Sequence, residues 1–600
     1  MSTVPALLQA RAEAAPDAPA LWSLDGTSGW QPITWRDFRD ATASAAHGLR
    51  ALGLKRGDRI GILAPSCPRW DVAQIAAMAA GGIVVGLDPN DTSERLGQIA
   101  ERCELSVVIA YDEALLGKLP PPVCDRLSFA VTFAPARATG IVSFADLVGP
   151  DGTQGKTGWD HALADDPALI VFTSGTSGEP KGITYAHQQV CGAVASILQA
   201  FPDIGPGSRL ACWLPLSNLF QRMINLCAIG RGAQTYYVED PRTIMQHAAA
   251  ISPHLFIGVP RFYEKLHAGI CAAIDTKPAW QRSVTQWAIR AGDRRARALR
   301  DGIDLGAADR ATAALAEGLV LRRIRSILGR NLRYLVSGSA PMPVWLLERF
   351  HALGFLVLEA YGMSESIVPV AANRPDRYRF GTVGQPMVGS EVRLAPDGEL
   401  LLHGPGVFSG YLGETAAASL IDADGFLASG DYASIDGDGF VTLLGRKSEL
   451  FKTSTGRRVA PAVIESHLRQ IPYVEHAVIF GANRPFLAAV LAVTETALRQ
   501  RLGGREPSAD LEFTASAVRA DIAAAVAGVP GHQRPGGLVL TTRAFSIADG
   551  HITPNLKVRR AHVEAAYGSF LEELYQSLDA APATPLALTH DNGTVLVLSV

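Results

Sequence analysis

The sequence predicts an α/β protein: a large N-terminal domain of parallel sheets flanked by helices, then a small α+β domain. Helical and strand patterns alternate between residues 33 and 110, as they do where crossover helices join parallel strands. Short apolar runs typical of buried strands continue the series to residue 359. At 600 residues, the chain is also too long for one ordinary domain.

The elements of the large domain follow one another without a long gap in the first hundred residues. In chain order we predict a helix over about 36–52, a strand over 59–64, a helix over 70–81, a strand over 82–87 and strands over 169–172, 209–214, 254–259, 332–337 and 355–359. Residues 381–407 differ, because they hold short strand patterns, a Pro396-Asp397-Gly398 turn and few helices. They predict a small β-rich region that closes the large domain.

A domain boundary is predicted at the stretch Gly445-Arg446-Lys447-Ser448. Enough pattern follows it for an independent domain of ordinary size, with helices over 462–470 and 515–527, strands over 474–481 and 487–493, and a further segment over 550–567. We therefore expect domains over 1–445 and 446–577, with a tail over 578–600. The tail starts rich in Ala and Pro and ends apolar, so a disordered tail and an added edge strand both stay open.

Composition excludes several classes of protein. The net charge of −3 and the absence of a basic domain give no reason to expect a nucleic-acid partner. No apolar run reaches the ~18 residues that cross a bilayer, and the first residues lack the apolar core of a signal peptide. The seven cysteines show no C-x-x-C spacing, which favours reduced thiols in a cytoplasmic protein and argues against zinc.

One basic segment has two interpretations. Residues 277–300 combine several arginines with Trp280 and Trp287, which is a pattern that could touch anionic lipid. A solvated helix face with two packed tryptophans explains the same residues and is favoured. Peripheral membrane contact and the oligomeric state are both left open by the sequence.

The stretch from Thr173 to Gly182, Thr-Ser-Gly-Thr-Ser-Gly-Glu-Pro-Lys-Gly, carries the clearest chemistry. It follows an apolar run that predicts a buried strand. Glycines turn backbone N–H groups toward an anion, hydroxyls donate to phosphate oxygens, and the lysine adds a compact positive charge. The spacing is not that of the Walker loop, but the composition predicts a polyphosphate site.

Four further motifs follow the loop, several of them at predicted strand ends, where open α/β sheets bind ligands. They are Ser337–Pro341, Tyr361–Glu365, Ser429–Asp431 with Gly445-Arg446, and Thr553–Lys557. The first motif offers a wall of small residues for a flat ring, and the second offers an aromatic face with a hydroxyl and a carboxylate. The third offers a carboxylate for ribose hydroxyls, and the fourth offers a lysine. Each motif alone is weak evidence for a ligand site, but here all of them occur together in one order.

With these motifs in place, the sequence resembles the adenylate-forming superfamily, most closely its long-chain fatty acyl-CoA synthetases. The resemblance runs from about Thr34 to Tyr567. It implies a reaction in which a carboxylate attacks the α-phosphate of ATP, bound with Mg²⁺, to form an acyl-adenylate and pyrophosphate. A thiol, usually that of CoA, then displaces AMP while the small domain swings about a hinge.

The resemblance also implies the site residues. Catalytic roles fall to Lys557, Thr173 and Glu365, and Glu365 is the Mg²⁺ ligand. ATP and AMP would contact Thr173, Ser174, Gly175, Thr176, Ser177, Gly178, Lys181, Gly338, Ser339, Ala340, Tyr361, Gly362, Ser364, Asp431 and Arg446. The hinge would be Ser448, where the family commonly has Asp or Lys. CoA would meet Gly456, Arg457 and Arg458, and the acyl group would meet Phe220 and Phe262.

Two stretches indicate the long-chain branch of the superfamily. Residues 214–222, Leu-Pro-Leu-Ser-Asn-Leu-Phe-Gln-Arg, are similar to that branch's Leu-Pro-Leu-Ala-His-x-x-Glu-Arg, and residues 256–265 also match. Asn218 and Gln221 replace the usual His and Glu. A medium or long aliphatic acid is the favoured substrate. The alternatives are an acyl-AMP ligase that loads the phosphopantetheine arm of a carrier protein, a CoA ligase for aryl or other acids, and a binder without turnover.

Overall fold

The protein is seen in a computed structural model that describes residues 2–26, 29–149, 159–173, 179–413, 420–546, 548–552, 558–580, 586–590 and 593–599. The chain divides into two compact units. The first comprises Met1–Ala395, Leu401–Ser429 and Ile435–Thr442, and the second comprises Pro396–Leu400, Gly430–Ser434 and Leu443–Val600.

Two large sheets form the framework of the first unit. Their strands are β1 (Pro19–Asp25), β2 (Gly29–Thr34), β3 (Arg59–Leu63), β4 (Ile83–Leu87), β5 (Val107–Ala110), β6 (Phe129–Thr132), β7 (Ile141–Ser143), β8 (Pro167–Thr173), β9 (Lys181–Ala186), β10 (Arg209–Cys212), β11 (Gln234–Tyr237), β12 (Leu255–Gly258), β13 (Tyr334–Ser337), β14 (Val357–Met363), β15 (Ser366–Ala372) and β16 (Gln385–Pro386). Sheet 1 has the order β7-β6-β5-β3-β4-β8-β9, and sheet 2 has the order β16-β15-β14-β13-β12-β10-β11-β1-β2.

The pairing in both sheets is parallel in the middle and antiparallel at the margins. Strands β3 to β8 of sheet 1 pair in parallel, and β9 is added antiparallel to β8. In sheet 2, the strands from β1 to β14 through β11, β10, β12 and β13 pair in parallel. Strands β2, β15 and β16 join antiparallel. The carboxyl ends of the parallel strands therefore lie together at one edge of each sheet, where the phosphate loop and the motifs at Ser337 and Tyr361 begin.

Helices cover these sheets. They are α1 (Val4–Ala14), α2 (Trp35–Ala51), α3 (Pro68–Ala79), α4 (Ser93–Arg102), α5 (Glu113–Leu116), α6 (Pro121–Cys124), α7 (Phe144–Val148), α8 (His187–Ala200), α9 (Leu219–Arg231), α10 (Ile244–Ile251), α11 (Pro260–Asp275), α12 (Ala279–Arg300), α13 (Ala307–Ala316), α14 (Arg322–Arg325) and α15 (Val344–Ala352). Helix α2 begins where the sequence predicts, because Thr34 and Asp37 form a capping box: each side chain accepts the other's backbone N–H. Among the described helices, none is both long and apolar enough to cross a membrane.

A further sheet has the order β17 (Glu391–Leu394), β18 (Glu399–His403), β19 (Leu427–Ile435) and β20 (Val441–Arg446). It corresponds to the predicted β-rich region, and the predicted turn at Pro396 separates β17 from β18. The chain passes between the two units within β18, β19 and β20.

The second unit is an α+β domain with a sheet in the order β23-β24-β25-β27-β26 and a small hairpin, β21-β22. Its elements are β21 (Phe451–Lys452), β22 (Arg458–Val459), α16 (Pro461–Leu468), β23 (Val474–Phe480), β24 (Leu487–Val493), α17 (Glu495–Arg501), α18 (Leu511–Ala525), β25 (Pro535–Thr541), α19 (Arg560–Ala580), β26 (Leu586–His590) and β27 (Gly593–Ser599).

The tail over 578–600 therefore contributes two strands where the sequence left open disorder or one strand. Strand β27 pairs antiparallel with β25, and β26 pairs with β27. Residues 595–598 are buried, with alternate side chains entering the two apolar clusters on either face of the sheet. The predicted α/β class is present in the structure, but α1, the β1-β2 hairpin and this C-terminal hairpin were not predicted.

Candidate active site

The predicted phosphate loop connects two paired strands. Thr173 ends β8, Lys181 begins β9, and the two residues lie opposite each other in the antiparallel register. The loop residues Ser174, Gly175, Thr176, Ser177 and Gly178 lie outside the described residues. Because Thr173 and Lys181 are partners in this register, the hydroxyl and the amine predicted to contact phosphates lie side by side.

Lys181 and Glu365 lie on either side of one tyrosine. The Lys181 Nζ is 4.6 Å from the centroid of the Tyr411 ring, and the Tyr411 hydroxyl donates a 2.7 Å hydrogen bond to Glu365 Oε1. Tyr411 is itself held by a bridge to Ile183 in β9. The arrangement brings the predicted phosphate cation and the predicted metal ligand into one cluster. Sequence reasoning missed Tyr411, because nothing in its local pattern distinguishes it from an ordinary packed tyrosine.

The motif from Tyr361 to Glu365 forms the end of β14 and its turn into β15. Tyr361 is largely buried, and Ser364 lies in the turn, where its carbonyl oxygen accepts a 2.5 Å hydrogen bond from the Tyr185 hydroxyl. Burial raises the pKa of Tyr185 well above its ordinary value, so this hydroxyl remains a donor. The contact ties the turn that carries Gly362 and Ser364 to β9.

The turn from Gly338 to Ala340 follows β13, next to β14. Ser339 has a φ of 72°, a left-handed conformation that is strained for a residue with a side chain. A Cβ added to Gly338 would lie 3.2 Å from Cζ of Phe220. A side chain at Gly338 would therefore crowd that ring, and a residue predicted to contact the acyl group lies close to the wall predicted for adenine.

Glu359 is a buried carboxyl group that sequence reasoning missed. It lies in β14 opposite Ser337 of β13, only 6% exposed, and its Oε1 accepts a 2.9 Å hydrogen bond from the Met342 backbone N–H. Burial raises the pKa of Glu359 from 4.5 to about 7. A carboxyl group beside the candidate adenine wall is thus neutral below neutral pH.

The raised pKa of Glu359 predicts that the stability of the protein depends on pH, and Glu359→Gln should reduce this dependence. Between pH 4.5 and about 7 the folded state keeps a proton that the unfolded chain has lost, so stability falls as pH rises through this range. The effect amounts to about 3 kcal/mol at most. Calorimetric melting temperatures across this range should therefore depend less on pH in the Gln variant, while the exposed-site control Glu101→Gln should match the parent. An unchanged slope in Glu359→Gln would show that Glu359 titrates normally.

In the second unit, Asp431 and Arg446 form an ion pair of 3.4 Å, in which the carboxylate is buried and the guanidinium is half exposed. The neighbouring Lys447 Nζ lies 2.8 Å from Asp397 and 2.7 Å from Glu399, and these bonds raise its pKa. Ser448, the predicted hinge, is the exposed residue that follows. Asp431 and Arg446 are thus together, as a shared ribose site requires.

The predicted CoA loop lies between β21 and β22. Gly456 has a φ of +77°, which closes the turn, and its N–H donates to the Thr453 carbonyl at 2.9 Å. Arg457 and Arg458 are exposed.

Lys557 lies outside the described residues, and the flanking Ile552 and Val558 form an antiparallel bridge.

The two predicted acyl residues have different surroundings. Phe220 lies in the first turn of α9, against Gly338. Phe262 belongs to an aromatic cluster, with ring centroids 5.0 Å from Trp213 and 5.2 Å from Phe256. Both rings are only partly buried.

Among the described residues, no group of three or more His, Cys, Asp or Glu side chains could hold a metal ion.

Comparison with known proteins identifies the family. A family model described as AMP-binding enzyme matches residues 8–412, and one described as AMP-binding enzyme C-terminal domain matches residues 449–579. The long-chain-fatty-acid–CoA ligase FadD15 of Mycobacterium bovis is 29% identical over 597 residues, covering 92% of this chain and 93% of that protein. The long-chain-fatty-acid–CoA ligase ACSBG2 of Rattus norvegicus is 26% identical, covering 96% and 93%.

A solved structure confirms the fold class. The adenylation domain of a carboxylate reductase from Mycobacterium chelonae superposes with a TM-score of 0.76 at 20% identity, covering 96% of this chain and 91% of that chain. The first family model spans well over half of the chain. The chain belongs to the AMP-binding enzyme family.

Proposed function

We propose that the protein is an acid–thiol ligase that activates a medium- or long-chain fatty acid with ATP and transfers the acyl group to CoA. The cluster of Lys181, Tyr411 and Glu365 carries the proposal, because it joins a cation to a carboxylate beside the phosphate loop. The similarity to two long-chain-fatty-acid–CoA ligases along nearly the whole chain supports this substrate class.

The first half-reaction has to overcome repulsion between a carboxylate and a triphosphate. In our proposal, Lys181 and the hydroxyl of Thr173 bind the β- and γ-phosphates and stabilise the departing pyrophosphate. Glu365 fits Mg²⁺, since Mg²⁺ commonly takes one or two carboxylates and completes its shell with phosphate oxygens and water. When bound, the ion would neutralise phosphate charge.

Each unit offers groups that suit the nucleoside. Tyr361 offers a face for adenine opposite the turn at Gly338, and Asp431 would accept hydrogen bonds from ribose hydroxyls, with Arg446 paired to it. Lys557 would meet the carboxylate and the α-phosphate oxygens while charge develops on them. For the thiol step, the exposed Arg457 and Arg458 would attract the phosphates of CoA.

The acyl group would lie near Phe220 and Phe262. The rings about Phe262 form an apolar surface, where each buried methylene contributes about 0.8 kcal/mol. An aliphatic chain fits such a surface better than a second carboxylate. The Phe220–Gly338 contact joins this region to the candidate adenine wall.

The decisive experiment is AMP formation with short-, medium- and long-chain and aromatic acids, with and without CoA. We expect AMP release that requires CoA and is fastest with a medium or long aliphatic acid. Adenylate that accumulates without regard to CoA would instead indicate a ligase that loads a carrier protein. Preference for aromatic acids would overturn the substrate class, and ATP binding without AMP formation would overturn the enzymatic assignment.

We further propose a peripheral contact with anionic lipid through the start of α12. Trp280 is 67% exposed, and Lys277 and Arg282 beside it are exposed as well. Trp287 instead packs against the apolar core, as the solvated-face interpretation requires for that residue. A tryptophan flanked by cations suits a membrane–water interface.

Sedimentation with vesicles tests this contact. We expect binding to vesicles of phosphatidylglycerol and phosphatidylcholine, little binding to phosphatidylcholine alone, and severalfold weaker binding of Trp280→Ala. Leu163→Ala is the matched control, since Leu163 is 58% exposed elsewhere on the first unit. Equal binding by Trp280→Ala and the parent would contradict a membrane contact through Trp280.

A further inference from the structure

A buried polar network connects helix α3 with helix α9. Asp71 of α3 is only 1% exposed, and its carboxylate accepts hydrogen bonds from Gln74, from the Tyr237 hydroxyl and, at 2.7 Å, from Asn225 Nδ2. Helix α3 belongs to sheet 1 and α9 to sheet 2, since they follow β3 and β10. The network therefore joins the two large sheets of the first unit.

Arg222 of α9 is the cation in this network. It is 1% exposed, its Nε donates a 2.8 Å hydrogen bond to Gln74 Oε1, and its guanidinium lies 5.1 Å from the Trp70 ring centroid. Gln74 thus bridges the carboxylate of Asp71 and the guanidinium. A buried charge is costly unless it is neutralised, so each member depends on the others.

Gln221 belongs to the same network and is only 1% exposed. Its Oε1 accepts the backbone N–H groups of Trp213 and Leu214 at 3.3 Å each, and its Nε2 donates to Asn225 Oδ1 at 3.0 Å. The neutral amide stands where the similar motif has Glu, and the buried carboxylate comes from Asp71 on another helix.

Through Gln221 the network contacts the segment that precedes α9. The Leu214 carbonyl accepts a 2.8 Å hydrogen bond from Ser66, and a Cβ on Gly86 would lie 2.7 Å from Ser217 Cα. The segment over 214–218 is therefore packed tightly against the ends of β3 and β4, just before α9. Phe220, which touches Gly338, lies on the next turn.

We propose that Asp71 is the counter-charge for Arg222 and that the pair, bridged by Gln74, positions the first turn of α9. Through that turn it sets where Phe220 lies, and so the fit of the acyl chain beside the nucleotide. Asp71, Gln74 and Arg222 are positioning residues, since they are buried and contact no reacting group. The inference rests on the proposed function.

The test removes both charges together, so that no unpaired charge prevents folding. Asp71→Asn/Arg222→Gln should fold and raise the KM for the fatty acid by about tenfold, with the KM for ATP and kcat much less affected. Hydrogen exchange at residues 219–223 should become faster. Asp71→Asn/Gln221→Glu should return the acid KM toward the parent value, because a carboxylate re-enters the network beside Asn225.

The control loosens the other end of the same helix. Arg11 donates to the carbonyls of Ile229 and Gly230 at 3.3 and 2.9 Å, so Arg11→Ala should leave the acid KM unchanged. An unchanged acid KM and unchanged exchange in Asp71→Asn/Arg222→Gln would overturn the positioning role. Failure of the proposed function is distinct, because the parent protein would then form no acyl-CoA, while hydrogen exchange would still report on the network.

Discussion

Lys557→Ala is expected to lower the rate of acyl-adenylate formation by about 10²–10³-fold, as the loss of one transition-state donor does in other enzymes. The physical reason is that the α-phosphate and the attacking carboxylate are both anionic, and their charge shifts in the transition state. The reaction of supplied acyl-AMP with CoA should continue, because the proposed role of the lysine is confined to adenylate formation. Pyrophosphate exchange measures the first step, and acyl-CoA formation from acyl-AMP measures the second.

Lys55→Ala is the control, since this lysine is exposed and precedes β3, at the amino end of that strand. It should leave both half-reactions unchanged. An equal loss in both half-reactions of Lys557→Ala would contradict the assignment, because it would indicate a general defect instead of a role confined to adenylation.

Deletion of residues 586–600 is expected to unfold the second unit. Strand β27 would leave β25 without its neighbour, and the apolar side chains of residues 595–598 would be lost from both clusters. Each such side chain contributes about 1.5–3 kcal/mol, and a whole domain has only about 5–15 kcal/mol of stability. Limited proteolysis and calorimetry should show a folded first unit beside a cleaved second unit.

A single substitution tests the same packing more gently. Leu596 is 2% exposed, so Leu596→Ala should reduce the stability of the second unit by about 2–5 kcal/mol. Val463→Ala is the matched control, because Val463 is 45% exposed and should change stability little. If the deleted protein retained a protease-resistant second unit, the hairpin would be dispensable to that fold.

The elements that local sequence signals predicted lie within a few residues of their predicted bounds. Helix α2 starts at its capping box, and β3 and β4 are continuous apolar runs, as buried parallel strands usually are. The C-terminal hairpin could not be predicted, because an apolar stretch after an Ala/Pro-rich segment does not say which strand it will pair with. Pairing with β25 depends on contacts made across the chain.

The candidate site also contains residues that the sequence could predict and residues that it could not. Lys181, Glu365 and Asp431 stand in motifs whose spacing is a local property, so the sequence was sufficient to propose them. Tyr411 and Glu359 carry no such spacing. Their relevance comes from the ring between Lys181 and Glu365 and from the burial that raises the pKa of Glu359.

The sequence by itself determined the α/β class, the order of the nucleotide motifs and the resemblance to adenylate-forming enzymes, because glycine-rich turns and strand ends need particular residues at fixed spacing. Only the tertiary structure decided which groups are buried together. Gln221 illustrates the difference: the sequence shows only that it replaces the usual Glu of a motif, and the fold shows that its side chain accepts hydrogen bonds from backbone N–H groups. Asp71 and Arg222 belong to one network through Gln74, and a buried charge that is not neutralised is costly, which is a constraint that exists only once the chain is packed.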